Sequence, residues 1–273
     1  MFAFTKRISA ALLAAGALAG MPSVAMAGVG DLLVAPTRVL LDGRRGSEII
    51  LNNIGDDVAT YRVSLELKRM KPDGTLETVT AANDREQAAE SMILYAPRKV
   101  TLPPNQPQSI RVTARAPQGL PDGEYRVHML FRAIPDPKPV TQAPTKDSLS
   151  FRLIPVYGVT IPIIVRLGQL EATAGIAAVT KVTDDGKPAV KLDLSRTGSR
   201  SVYGEITVTR PGIAEPIAVA NGIAVYSELN GRSVTIPIDP KYAAQANGPV
   251  KVSYVEKTPT GPVTLAETTA VLR

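Results

Sequence analysis

The 273 residues carry 31 Lys and Arg against 25 Asp and Glu, one His, no Cys and only 4% aromatic side chains. Without cysteine there is no disulfide framework, and with one histidine a zinc site built from several His or Cys ligands is excluded. The balance is mildly basic, no run of Lys or Arg exceeds two residues, and aromatic rings are scarce, so neither a charged track nor a stacking platform for nucleic acid is present.

The chain opens with Lys6 and Arg7, an apolar run from Ile8 to Ala19, and a small-residue ending at Ala25-Met26-Ala27. This reads as a secretory signal peptide over residues 1–27. The run is shorter than the ~20 apolar residues needed to cross a bilayer, so the mature chain is expected to be exported and not membrane-spanning. An exported protein that holds its folds without disulfides suits a bacterial periplasm.

From Leu32 to Leu41 the pattern predicts a strand with Leu33, Ala35, Val39 and Leu41 on one face and Leu32, Val34 and Leu40 on the other. Arg38 belongs to the second set. A guanidinium among apolar neighbours either snorkels to water from a strand edge or holds a carboxylate through two parallel hydrogen bonds. Tyr61, Val63, Leu65 and Leu67 then alternate with polar residues, as do Ile110, Val112 and Ala114, and Tyr125, Val127, Met129 and Phe131. Period two marks half-buried antiparallel strands, and it puts Glu124, Arg126 and His128 on a solvent face. Turn signals at Asp42-Gly43, Pro72-Asp73-Gly74, Pro103-Pro104-Asn105 and Pro121-Asp122-Gly123 separate the strands. Residues 83–92 offer the one helical segment, with Asn83 placed to cap it.

Residues 135–146 are rich in proline and are expected to form a loop. Beyond them, Leu149, Phe151, Leu153, Pro155, Tyr157, Val159, Ile161, Ile163 and Val165 form an unbroken odd-numbered apolar row. Such a strand is longer than one small sandwich can cover, so something else must cover part of it. Pro155 and Pro162 lack an N–H and indicate edge positions or bulges rather than a central ladder, and an exposed apolar edge invites a partner strand. The row from Tyr157 onward is expected to enter the core. After Gly168 shorter strands recur, punctuated by Asp184-Asp185-Gly186, Asn230-Gly231 and Asn247-Gly248. The expectation is an all-β chain of two immunoglobulin-like β-sandwich domains in tandem, residues 28–168 and a smaller 169–273.

Nucleophilic chemistry lacks its parts: there is no Gly-x-Ser-x-Gly, and the sole histidine, His128, is expected at the surface. No glycine-rich phosphate loop precedes a helix, and Asp184 and Asp185 read as turn residues. A non-enzymatic protein without cofactor or metal is expected.

Several stretches, in order, resemble the PapD-like family of periplasmic chaperones. They are Ala35-Pro36-Thr37-Arg38-Val39, residues 49–53, Pro97 to Pro104, Leu120 to Arg126, Phe131 to Pro135, and residues 153–166 where the family has its long seventh strand. The resemblance implies a periplasmic chaperone for fimbrial or coat-like secreted subunits, which lack their last strand. The seventh strand would complete them by strand addition before delivery to an outer-membrane usher. It implies that Leu149, Phe151 and Leu153, with Pro155 as a fourth, are the inserted side chains. It further implies that Arg38 anchors the subunit's terminal carboxylate, that Arg166 serves the cleft between domains, and that the empty protein self-associates weakly. The family's second cation, a lysine, is replaced by Pro162, leaving Arg38 to anchor alone. A structural or adhesive exported protein of the same fold is the alternative.

Overall fold

The computed structural model describes residues 31–135 and 156–273. The segment read as a signal peptide, most of the proline-rich stretch, and Leu149, Phe151, Leu153 and Pro155 lie outside the described residues.

The first sandwich runs β1 (Leu32–Ala35), β2 (Val39–Leu41), β3 (Ser47–Asn53), β4 (Ala59–Glu66), β5 (Lys68–Met70), β6 (Leu76–Thr78), α1 (Asp84–Ser91), β7 (Ile93–Ala96), β8 (Lys99–Leu102), β9 (Pro107–Ala114), β10 (Gly123–Ile134) and β11 (Gly158–Leu167). One sheet has the order β1-β3-β9-β7 and the facing sheet β2-β11-β10-β4-β8; β5 and β6 form a separate hairpin. Alternation places Tyr61, Val63, Ile110, Val112, Tyr125, Val127, Met129 and Phe131 in a core shared with Ile49, Leu51, Ile161, Ile163 and Val165. The Tyr125 hydroxyl donates to the Pro121 carbonyl at 2.7 Å. This is the corner by which sandwiches of the immunoglobulin class fix the turn into a central strand.

The segment read as one strand from Leu32 to Leu41 is two. A bend over residues 36–38 carries the chain from the edge of one sheet to the edge of the other, where β2 pairs in parallel with Ile163–Val165 of β11. The bend resets the alternation. Val34, Val39 and Leu41 are buried while Leu33 and Leu40 are exposed, so neither predicted face survives intact.

Helix α1 forms where expected, because Asn83 and Glu86 close a reciprocal capping box that satisfies two otherwise orphan N–H groups. Its Ala89 and the following Met92 enter the first core.

The second sandwich comprises β12 (Ala172–Asp184), β13 (Lys187–Gly198), β14 (Val202–Thr209), β15 (Ala218–Val225), β16 (Gly231–Pro237), a 3-10 helix (Pro240–Gln245), β17 (Gly248–Thr258) and β18 (Gly261–Leu272). Its sheets are β12-β13-β16 and β15-β14-β17-β18 around a separate core that includes Val190, Leu192, Ile206, Val208, Ile236, Val252 and Tyr254. The connection passes through Gly168, whose φ of 78° and position against the Asp122 carboxylate leave no room for a Cβ.

Candidate functional site

The even-numbered residues of β10 and β11 form the outer face of their sheet, and half of that face is not in water. Glu124 lies opposite Arg166, Arg126 opposite Ile164, and His128 opposite Pro162. Glu124, His128 and Ile164 are each 1% exposed or less. The second sandwich covers them. Ile164 joins Met70, Ala224 and Tyr226 in an apolar cluster flanked by Tyr203 and Leu229.

His128 is therefore not a surface residue. Its ring meets Tyr226 edge-on at 6.3 Å between centroids, and neither ring nitrogen has a hydrogen-bond partner. Burial, reinforced by the charges of Arg126 and Lys68, pushes its pKa down to about 3, so the imidazole is neutral in the folded protein. That state suits packing better than proton transfer.

At the neck between the sandwiches one carboxylate gathers three donors. Glu124 Oε2 accepts from Ser201 N at 3.0 Å, Ser201 Oγ at 2.9 Å and Arg166 Nε at 3.0 Å. Arg166 continues to the Ser201 carbonyl at 3.3 Å. Arg38, held in the bend between β1 and β2, reaches the same residue, donating from Nη2 to Ser201 Oγ at 3.3 Å. Its guanidinium lies 4.4 Å over the Tyr203 ring, an arrangement favoured by the ring quadrupole. Burial and then the positive charge of Arg166 lower the Arg38 pKa. Among the described residues Arg38 makes no ion pair, and its buried Nε has no hydrogen-bond partner. The bend thus holds a cation that is short of an anion.

Arg38 and Arg166 are thus brought together at Ser201, while Pro162 lies farther up β11 opposite His128. Beside Arg166 opens a cleft of about 400 Å³ lined by Leu40, Leu170, Arg200, Glu256 and Lys257 among others. Sequence reasoning missed Ser201, Tyr203 and Tyr226, which carry no motif, and read Glu124 as a solvent-facing strand residue.

The second feature is an edge. β10 pairs with β11 along Gly158–Leu167, but on the other side β2 covers only Ile163–Val165. Among the described residues, no strand pairs with residues 158–162 on that side. Thr160 and Pro162 are half-buried there, Val159 packs against the core, and the preceding Val156 and Tyr157 are 44% and 55% exposed. Tyr157 thus departs from the expected core row, which begins at Val159. β1, an edge strand of the facing sheet, opens on the same side because it leads directly into β2, and its Leu33 is 52% exposed.

No family model matches the chain, and no curated protein matches it. Among solved structures it is similar to the YadV chaperone, with 14% identity over 89% of this chain and 100% of that one and a TM-score of 0.45. It is also similar to the E. coli chaperone DraB, with 15% identity over 90% and 98% of the two chains and a TM-score of 0.44. A third is the CsuC-CsuE chaperone-tip adhesion subunit pre-assembly complex of Acinetobacter baumannii, with 14% identity over 88% and 97% and a TM-score of 0.43.

Proposed function

We propose that this protein is a periplasmic chaperone that binds exported, β-rich subunits of a fimbrial or coat-like surface structure by adding a strand to them, and passes them to an outer-membrane usher. The observation that carries the reading is the half-open edge of β11. Among the described residues, 158–162 are paired on one side only, and they continue in sequence from the apolar row of Leu149, Phe151, Leu153 and Pro155. An extended apolar segment with free N–H and C=O groups recognises another chain's sheet edge through main-chain bonds, with alternate side chains filling pockets.

Arg38 supports the same reading. A half-buried guanidinium with no ion pair among the described residues, set against an aromatic ring and beside a second cation, favours an incoming carboxylate. A subunit's terminal carboxylate is the anion supplied by a chain whose last strand is laid along β11. In this reading Arg166, already engaged by Glu124, holds the cleft rather than the client.

The test is affinity purification of the tagged mature protein from its host's periplasm, with mass spectrometry of what co-elutes stoichiometrically. The expected result is a small exported β-rich subunit that is lost from the Arg38→Glu and Phe151→Asp variants while both remain folded. Absence of any partner while surface fibres are being made would overturn the reading in favour of a structural or adhesive protein of the same fold.

A further inference from the structure

The β5–β6 hairpin lies outside both sandwiches, yet it is fastened at each end to a different one. On the first sandwich, Arg69 grips Glu86 of α1 with two hydrogen bonds of 2.6 Å and donates to the Ala81 carbonyl at 3.1 Å. α1 in turn is seated in the first core through Ala89. The hairpin's tip is a rigid turn. Lys71 and Thr75 pair across it at 2.8 Å, Gly74 N donates to the Lys71 carbonyl at 2.7 Å, and the Asp73 carboxylate accepts from both Thr75 N and Thr75 Oγ1.

That tip meets the second sandwich along residues 226–233. Ser233 N donates to the Pro72 carbonyl at 3.0 Å, as if adding one rung of ladder between the two units. Gly74 sits against the Arg232 guanidinium so closely that a side chain there would displace it. Met70 N donates to Glu228 Oε1 at 2.9 Å. The same carboxylate receives both Nη atoms of Arg126, at 2.6 and 3.0 Å, and Arg126 also donates to the Lys68 carbonyl at 2.8 Å while lying 3.6 Å over the Tyr226 ring. Met70 and Tyr226 close the contact with buried apolar surface.

The receiving segment is itself held in place. Arg196, 4% exposed, donates to the carbonyls of Leu229 and Ser227 from inside the second sandwich, and its backbone N donates to the Asn230 carbonyl. Both halves of the contact are therefore preorganised before they meet, which lowers the entropy lost on docking.

A single junction at Glu124, Arg166 and Ser201, next to the covalent connection, would leave the sandwiches free to swing about it. Arg126 lies two residues farther along β10, roughly 7 Å at ~3.4 Å per residue, and the hairpin extends the contact beyond it. Two separated attachments remove a rotation that one permits. We propose that the β5–β6 hairpin is an interdomain latch, which locks the two sandwiches at one angle and so holds Ser201 and Tyr203 of the second in a fixed relation to Arg38 of the first. The latch rests on contacts within this chain and not on the identity of any client.

The chain has no cysteine, so two can be placed at will. Gln108→Cys on exposed β9 and Lys191→Cys on exposed β13 would carry nitroxide labels, one on each sandwich, for pulsed electron-electron distance measurement. The parent pair is expected to give a single narrow distance distribution. Glu228→Ala, which removes the shared carboxylate, and Gly74→Val, which puts a β-branched residue at a φ of 86° and so distorts the tip against Arg232 without touching either core, should each at least double its width or add a second population. Circular dichroism should show both sandwiches still folded, and Gly74→Val decides the matter alone if Glu228→Ala fails to fold. An unchanged narrow distribution in the folded variants, or a broad one in the parent, would overturn the latch. Client capture is not part of the readout, so failure here is separable from failure of the chaperone reading.

Discussion

Glu124 and Arg166 face each other across the β10–β11 ladder, and the Arg166 Nε donates to Glu124 Oε2 at 3.0 Å while the same oxygen accepts the backbone and side chain of Ser201 from the other sandwich. The carboxylate side chain has no exposed surface and Arg166 keeps 21%. An ion pair of this kind gains little over a well-packed apolar pair, but removing one partner leaves the other, and here a buried N–H as well, without compensation.

Glu124→Ala should accordingly lower the unfolding free energy by about 3 kcal/mol, the scale for breaking a buried pair from one side. Glu124→Gln retains an acceptor for Ser201 and should lose roughly half of that, since a neutral hydrogen bond is about half as strong as a charge-assisted one. Urea unfolding followed by far-ultraviolet circular dichroism measures both, and equal losses would show that the charge contributes nothing.

The single histidine gives a clean pH test. His128 has a folded pKa of about 3, below its ordinary 6.5, because burial and the nearby charges of Arg126 and Lys68 oppose the imidazolium. Between those values the unfolded chain holds a proton that the folded chain refuses, so stability is complete above pH 6.5 and falls as pH drops towards 3. The slope approaches about 1.4 kcal/mol per pH unit once the unfolded histidine is fully charged. The carboxylates with lowered pKa, such as Glu86 and Asp73, act mainly below their own ordinary range, which leaves pH 6.5 to 5 to the histidine. Urea midpoints across that window should decline for the parent and stay nearly flat for His128→Phe; parallel declines would place the linkage elsewhere.

The misplacement of His128 shows where a sequence stops being legible. Tyr61 and Val63, or Met129 and Phe131, could be assigned to a core because an apolar row at period two has only one stable destination. The α1 start was legible because Asn83 and Glu86 satisfy backbone donors locally. Glu124, Arg126 and His128 form a polar row whether water or another domain's polar surface lies against it, and periodicity cannot tell the two apart. The bend at residues 36–38 was hidden for a related reason. A change of sheet resets the alternation, so an apolar run on both faces looked like one doubly buried strand. Of the candidate site, Arg38 was visible as a charge among apolar residues, but its relation to Ser201 and Tyr203 depends on how two domains meet.

Arg38 carries a prediction that separates stability from function. It is a half-buried cation without an ion pair among the described residues, next to Arg166, with an unpartnered Nε, so folding gains little from its charge. Arg38→Met, which keeps much of the volume over Tyr203, should leave stability within about 1 kcal/mol of the parent or raise it, as replacement of buried ionic groups by apolar ones often does. The same substitution should abolish retention of the client in the co-purification experiment. A variant that both loses several kcal/mol and loses its client would mark Arg38 as structural.

Arg196 should behave in the opposite way. Its guanidinium is buried and donates to four carbonyls, those of Leu229, Ser227, Gly198 and Arg200. These belong to the end of β13 and the link into β14, and to the turn before β16. Arg196→Met fills the space but leaves buried acceptors without donors, at about 1–3 kcal/mol for each one that water cannot reach. The expected loss is therefore about 3 kcal/mol or more by the same scale, and it should be greater than that of Arg38→Met although both remove one arginine. Because the turn also carries Tyr226 and Glu228, amide hydrogen exchange should accelerate in residues 226–233 and, through the lost contact, at Met70, whose N–H is held by Glu228. Faster exchange confined to the second sandwich would show that the hairpin keeps its contact without the order Arg196 gives the turn.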